Sequence, residues 1–261
     1  MILKAIQTIS APNTEYPYNV IAFETLHFTQ PVTFLTGDNG SGKSTLLRIL
    51  KELSTAIDIG HGRPFSESIR RELPNHFTLA WQTKSQRGFY LQSEDFINYI
   101  EWAKSESAFY HDELAAVERK HTNKQSMGYL LESGLQRGNA QHMDAITENV
   151  GNASHGEGYL EFFKTRLRDN ALYLLDEPET PLSFHGQLAL MTMIHEASNR
   201  GCQFIICTHS PILLAFPGAT IYHFNHTIEA IRYDQHPIVT NTRMFLEDPQ
   251  RTLHYLFKDN K

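Results

Sequence analysis

Cysteine is nearly missing from this sequence: Cys202 and Cys207 are the two thiols in 261 residues. Both lie in the apolar run CQFIIC, where an odd separation along a strand turns them to opposite faces. That excludes a disulfide framework and predicts two buried thiols. Long apolar stretches are missing too. No run of about 18 apolar residues occurs, and the N-terminal MILKAIQTIS lacks a long apolar core ahead of a small-residue cleavage site. A cytoplasmic protein without membrane insertion is expected. Positive charge is in deficit, with 23 Lys and Arg against 29 Asp and Glu and a net charge of −6, so nothing global announces nucleic acid or anionic lipid. The small basic clusters (Arg63, Arg70, Arg71; Arg119, Lys120, Lys124; Lys164, Arg166, Arg168) are mixed with acids and read as solvated faces. The 14 histidines lack compact ligand spacing with Cys or carboxylate, so no transition-metal site is expected. Repeats, low-complexity segments and a nuclease constellation are not recognisable either.

What is present is enough apolar material, 41% of residues, to bury about three quarters of the unfolded surface in one large domain with a helical insert. The first 36 residues read as strands and turns ending in PVTFLTG, and from Lys43 the leucines 46, 47, 50 and 53 recur at helical spacing. From Glu94 to Thr147 the chain is polar and helix-favouring, with scattered apolar anchors such as Phe96, Ile100 and Val117. A helix near YLEFFKTRL, a strand ALYLLDE, a helix near GQLALMTMIHEAS and a strand QFIICTHS follow. Two short strands, TIYHFN and IEAIRYD, precede one last helix near TRMFLEDPQRTLHYLF. Alternating strands and helices predict an α/β fold with a mainly parallel sheet covered on both faces.

Gly37, Asp38, Asn39, Gly40, Ser41, Gly42, Lys43 and Ser44 fit G-x-x-x-x-G-K-[ST], between an apolar strand and a helix that continues through Thr45. Glycines admit phosphates close to backbone amides, and the helix N-terminus adds positive potential. Lys43 reaches the β- and γ-phosphates and Ser44 ligates Mg²⁺ in such a cradle. With average glycine usage of about 7%, a chance match in a chain this long is on the order of 1%. Farther on, the run Leu172 to Leu175 ends in Asp176 and Glu177, the form of a buried parallel strand reaching the sheet edge where open sheets bind ligands. Adjacent strand residues point to opposite sides, so Asp176 can hold the Mg²⁺ shell while Glu177 polarises a water for in-line attack.

Here the sequence resembles the soluble, stand-alone ABC-type ATPases, a predicted AAA-family group of P-loop NTPases with motif-level kinship to SMC-like and repair ATPases. The resemblance rests on Asp176-Glu177-Pro178, on Thr208-His209-Ser210-Pro211 with His209 32 residues past Glu177, and on NASHGEGYLEFF. It implies a P-loop fold of ABC type with a helical subdomain and a small antiparallel β element. Residues 1–93 and 151–261 would form the nucleotide-binding core and about 94–150 the subdomain. It implies that Glu177 is the base, that His209 contacts the γ-phosphate and that Ser154, Gly156 and Glu157 form a signature loop meeting nucleotide on the opposite subunit. ATP and Mg²⁺ would then glue a homodimer. The loop ETPLSFHGQ, with Glu179, Leu182 and Ser183, resembles the dimer-facing loop of soluble members. Gln92, or Glu94 two residues on, takes the place of the glutamine that senses Mg²⁺ and the γ-phosphate; Tyr16, Tyr18 and Phe23 are available to stack on adenine. The implied function is ATP hydrolysis driving dimerisation, coupled to a DNA-related or defence partner, with DNA, RNA or protein as cargo. An ATP-gated regulator of a partner or toxin and the nucleotide-binding subunit of an ABC transporter are the alternatives. A P-loop kinase or GTPase leaves SHGEG and His209 unexplained.

Overall fold

The computed structural model describes residues 1–10, 15–20, 22–54, 56–59, 64–85, 87–151, 155–225 and 227–258. In chain order these form β1 (Leu3–Thr8), β2 (Thr25–His27), β3 (Val32–Gly37), α1 (Lys43–Ser54), β4 (Ile57–Ile59), α2 (Glu67–His76), β5 (Phe77–Trp81) and β6 (Gly88–Gln92). Then come α3 (Ser93–Lys120), α4 (Met127–Gly151), α5 (His155–Arg166), β7 (Leu172–Asp176), α6 (Phe184–Asn199) and β8 (Gln203–Cys207). The chain continues through β9 (Thr220–Phe224), β10 (Ile228–Ala230), α7 (Pro237–Glu247) and α8 (Pro249–Lys258).

Seven strands lie in the order β10-β9-β3-β8-β7-β6-β4, all parallel except the edge pair β10 and β9. A second sheet, β2-β1-β5, is antiparallel. The strands β3, β7 and β8 are buried at every position because both faces of the large sheet are covered. Successive residues divide between two cores: Tyr173, Leu175, Phe204 and Ile206 pack with Tyr159, Phe163 and Leu190 on one face. Leu172, Leu174, Ile205 and Cys207 pack with Leu46, Leu47 and Leu50 of α1 and with Ile6 and Phe77 of the small sheet on the other. Cys202 belongs to the first core and Cys207 to the second, both as free buried thiols, as their odd spacing requires. Each fully buried aromatic or leucine contributes about 1.5–3 kcal/mol by leaving water, and the double cover fixes strand register to within a residue.

The polar stretch after β6 becomes two helices packed against each other. Lys120 with Glu132 near the tip, and Ser107 with Asp144 farther along, show that α3 and α4 run antiparallel. The single last helix expected from the sequence is two: α7 stops at Glu247 and α8 begins at Pro249, with Asp248 between them outside the helical region at φ −145° and ψ 77°. Proline has no N–H to continue the ladder and pushes the preceding residue out of the helical region. None of the described helices is long and apolar enough to cross a membrane.

Candidate functional site

Four parallel strands deliver their carboxyl ends to one edge in a single row, Leu35, Cys207, Asp176 and Gln92, which are neighbours in register. Beyond Leu35 the chain turns through the glycine loop into α1. Gly37 sits at φ +138°, and a Cβ there would lie 2.2 Å from the carbonyl oxygen of Phe224. Only glycine fits that approach. Asp38, Asn39 and Gly40 are exposed on the loop, and Gly42 is buried beneath it. Lys43 Nζ donates to the Gly37 and Asp38 carbonyls, 2.8 Å each, with Ser41 Oγ at 3.5 Å. Burial lowers its affinity for the proton, and a phosphate arriving at the loop would offer that ammonium a charged acceptor in place of carbonyls. Thr45, half-buried, follows on the first turn of α1.

Ser44 Oγ donates to Asp176 Oδ1 at 3.1 Å. Asp176 is 2% exposed, and burial pushes its carboxyl up to about 6. The Cys207 thiol, a weak donor, lies beside that carboxylate, and Oδ2 has no hydrogen-bond partner of ordinary geometry among the described residues. A buried carboxylate oxygen left bare beside a serine hydroxyl fits a hard divalent cation such as Mg²⁺. Ser44, Gln92, Ser93, Glu94, Asp176, Glu177 and Thr180 line a cavity of about 70 Å³ at this point. The structure thus brings both Gln92 and Glu94, the two readings left open by the sequence, to the cavity wall.

Glu177 differs from the sequence expectation of a second strand residue. The strand ends at Asp176, and Glu177 adopts φ +50°, a left-handed conformation that side chains other than Gly and Asn rarely take. Its N–H donates to the Cys207 carbonyl at 3.0 Å, and its own carbonyl accepts from Thr180 N–H at 3.1 Å and Ser93 Oγ at 2.6 Å. The carboxylate is released toward solvent, with His209 Nε2 3.9 Å from Oε1. His209 comes from the end of β8, and its backbone N–H donates to Glu179 Oε1 at 2.7 Å. Glu179 is therefore turned inward onto the histidine's backbone rather than presented outward with its loop. Burial raises its carboxyl above the usual range.

Gly156 and Glu157 lie in the first turn of α5, away from the cavity lining. A Cβ on Gly156 would come within 2.8 Å of the Pro181 carbonyl oxygen, so the loop after β7 rests on the start of α5. Ser154 lies outside the described residues. Of the aromatics, Tyr18 is buried against His76 and Phe77, and Phe23 stacks on Phe77, so packing takes both. Tyr16 is 46% exposed and receives a hydrogen bond from Arg48 at 3.2 Å. Sequence reasoning missed Ser93, the inward turn of Glu179, and a polar cluster behind the loop in which His236 donates to Thr36 at 2.8 Å. A serine immediately after the glutamine at a helix start was the available signal for the first; the other two had none.

Residues 27–180 match the sequence pattern of a family described as ABC transporter. Among curated proteins the chain is 28% identical over 191 residues to an uncharacterised ABC transporter ATP-binding protein of Haemophilus influenzae, covering 72% of this chain and 67% of that one. It is 25% identical over 183 residues to the ribose import ATP-binding protein RbsA of Lacticaseibacillus paracasei, covering 67% of this chain. The matched region spans about a third of RbsA. A nucleotide-free ATP-binding cassette from an ABC transporter aligns over 96% of this chain and 97% of its own, at 15% identity and a TM-score of 0.47.

Proposed function

The chain belongs to the ABC transporter family and is an ABC-type ATPase domain, and from this premise we propose that it closes as a homodimer around bound ATP and reopens on hydrolysis. The observation that carries the reading is the Ser44–Asp176 bond with Asp176 Oδ2 buried beside the glycine loop and met by no stronger donor than the Cys207 thiol among the described residues. The loop amides from Gly37 to Ser44 and the Lys43 ammonium hold the β- and γ-phosphates, with Thr45 on the helix turn behind them. Ser44, Asp176 and Gln92 would hold Mg²⁺, which neutralises charge on the phosphates when bound. Glu177 accepts a proton from the attacking water, and His209, beside it, contacts the γ-phosphate. Of the three aromatics, Tyr16, half-exposed beside Arg48 and Phe65, is the one we assign to stacking on adenine. Gly156 and Glu157, in the first turn of the opposite copy's α5, would complete the pocket together with Ser154, which precedes them in sequence.

The α3–α4 hairpin is the lever that carries the cycle to a partner protein. With a net charge of −6, direct capture of nucleic acid is the weaker use of that lever, and a DNA-related or defence role would run through the partner. The names of the relatives favour a second reading, the ATP-binding subunit of an ABC transporter. An ATP-gated regulator of a partner or toxin would use the same engine.

The test is Glu177→Gln in Mg-ATP, run on size exclusion with and without duplex DNA. Turnover is expected to fall 10²–10⁴-fold. The mass is expected to double with ATP and to return to the single-chain value on Ser154→Arg. A single subunit that hydrolyses ATP at the parental rate as Glu177→Gln defeats the proposal. Copurification of the trapped dimer with a permease selects the transporter reading; stimulation by DNA selects the repair one.

A further inference from the structure

Ser93 is the first residue of α3, one position past the N-cap Gln92. The helix start carries no side-chain cap, and the Ser93 hydroxyl, 3% exposed as a residue, donates instead to the Glu177 carbonyl, 84 positions along the chain, at 2.6 Å. That carbonyl belongs to a residue held at φ +50°, a conformation that costs of order 1–3 kcal/mol and persists only where surroundings impose it. The Cys207 carbonyl fixes the N–H side of the same residue, and the Thr180 N–H is the other donor to its carbonyl. Both come from the core. Among the described residues, Ser93 is the one tie that comes from the helical hairpin. The helix is seated by Phe96, packed edge-on against Tyr159 and Phe162 of α5. Tyr159, wholly buried, interacts with Ser93 and has no hydrogen bond of ordinary geometry. Ser93 thus stands where α3, α5 and the end of β7 meet.

We infer that Ser93 is a positioning residue for Glu177: its hydroxyl holds the Glu177 peptide in the left-handed conformation, so the setting of that carboxylate depends on how the α3–α4 hairpin is seated. This rests on the reading of Glu177 as the group that activates water. When the hairpin shifts against the core, the Ser93 bond lengthens, the peptide relaxes toward ordinary strand geometry, and the carboxylate leaves its place beside His209. A partner that grips the hairpin then governs turnover without touching the nucleotide, and ATP binding at the glycine loop is left alone.

The experiment measures kcat, nucleotide affinity and thermal melting for the full chain and four variants. Ser93→Ala is expected to lower kcat at least tenfold with ATP affinity within twofold of the parent, and Ser93→Thr, which keeps the hydroxyl, to recover most of the rate. Phe96→Leu, which loosens the seating of the same helix, is expected to lower kcat in the parent and to lower it no further in the Ser93→Ala background. Parental kcat in Ser93→Ala, equal loss in Ala and Thr, a loss of affinity matching the loss of rate, or additive effects of the two substitutions overturns the inference. Glu177→Gln, run alongside, separates the two levels: if it keeps turnover, the reading of Glu177 itself is wrong. If it loses turnover while Ser93→Ala does not, only the inference falls.

Discussion

The two ends of the large sheet are built from the same strands and settle their most polar side chains to different degrees. At the amino end, Gln203 is fully buried and makes three side-chain hydrogen bonds: its Oε1 accepts from Ile2 and Leu3 N–H at 2.9 and 2.7 Å, and its Nε2 donates to the Leu3 carbonyl at 2.9 Å. At the carboxyl end, Asp176 Oδ2 is buried with no stronger donor than the Cys207 thiol beside that carboxylate, and His209 Nε2 has Glu177 Oε1 no nearer than 3.9 Å, among the described residues. Among the described residues, each end also has one left-handed residue that is not glycine. At the amino end it is Asn170, φ +54°, a residue type that tolerates the conformation; at the carboxyl end it is Glu177, φ +50°, a type that does not. Thr33 Oγ1, near the amino end of β3, also lacks a partner, so the contrast lies in the ionisable groups and the strained backbone, which gather where a ligand is to arrive.

The sharpest way to break this comparison is at the amino end. Gln203→Ala strands two buried N–H donors and one carbonyl, each costing about 1–3 kcal/mol, and loosens the hold of β1 on the large sheet. A loss of about 4 kcal/mol in urea unfolding is expected, with nucleotide affinity of the remaining folded protein unchanged. If stability falls by less than about 1 kcal/mol, the bonds at this end are ornaments of the fold and the contrast is empty.

The second test asks whether polar groups just behind the glycine loop behave like one end or the other. His236 is 3% exposed; its Nδ1 accepts from Ile238 N–H at 3.2 Å, so Nε2 carries the proton given to Thr36. Thr36 in turn donates to the Tyr222 carbonyl at 3.1 Å, directly before the loop. This cluster is satisfied only while His236 is neutral. Burial first, then the neighbouring His223 and His209, lower its pKa to about 4. A folded pKa below the unfolded value contributes stability that is present above about 6.5 and lost as pH falls through 4. Between pH 8 and pH 5 the loss is about 2 kcal/mol. His236→Gln, which does not titrate, is expected to remove that portion of the acid limb in unfolding at the two pH values. An unchanged limb means that His236 is already hydrated in the native state.

The glycine loop and the strand around Asp176 were legible because their signals are local. A backbone cradle needs glycines at set places, and a doubly covered strand needs consecutive apolar residues before its polar end. The alternation of strands and helices that gives the parallel sheet was legible for the same reason. Ser93, Glu179 and His236 were not, because each acquires its partner only on folding, at separations of 84, 30 and 200 residues. Glu179 shows the point: its place after the two acids reads as part of an outward loop, and its side chain points inward to His209. The left-handed turn at Glu177 was equally silent, since the residue type argues against it. The segment holding β4, α2 and β5 lacked a strong period, with strands of three and five residues. The break at Asp248 was a different failure: Pro249 stated it, and the apolar spacing on either side outvoted it.

The smallest expected effect is the most discriminating, because it has the opposite sign. Asp176→Asn keeps an oxygen to accept from Ser44 and removes the buried charge. The rise of the carboxyl from 3.8 to about 6 is worth roughly 3 kcal/mol against the folded state at pH 8. An amide in the same place recovers part of that and leaves its own NH₂ poorly paired, so a net gain of about 1–2 kcal/mol is expected in nucleotide-free, metal-free protein. A raised carboxylate pKa favours the fold fully below the unfolded value and loses that advantage as pH rises through about 6. The Asn variant should therefore outlast the parent in thermal melts at pH 8 and match it at pH 4.5, while its turnover falls with the loss of the carboxylate. A site that grows more stable as it loses activity is one where the charge was kept for a ligand. If Asp176→Asn melts below the parent at pH 8, the carboxylate is already satisfied, and the two ends of the sheet are alike after all.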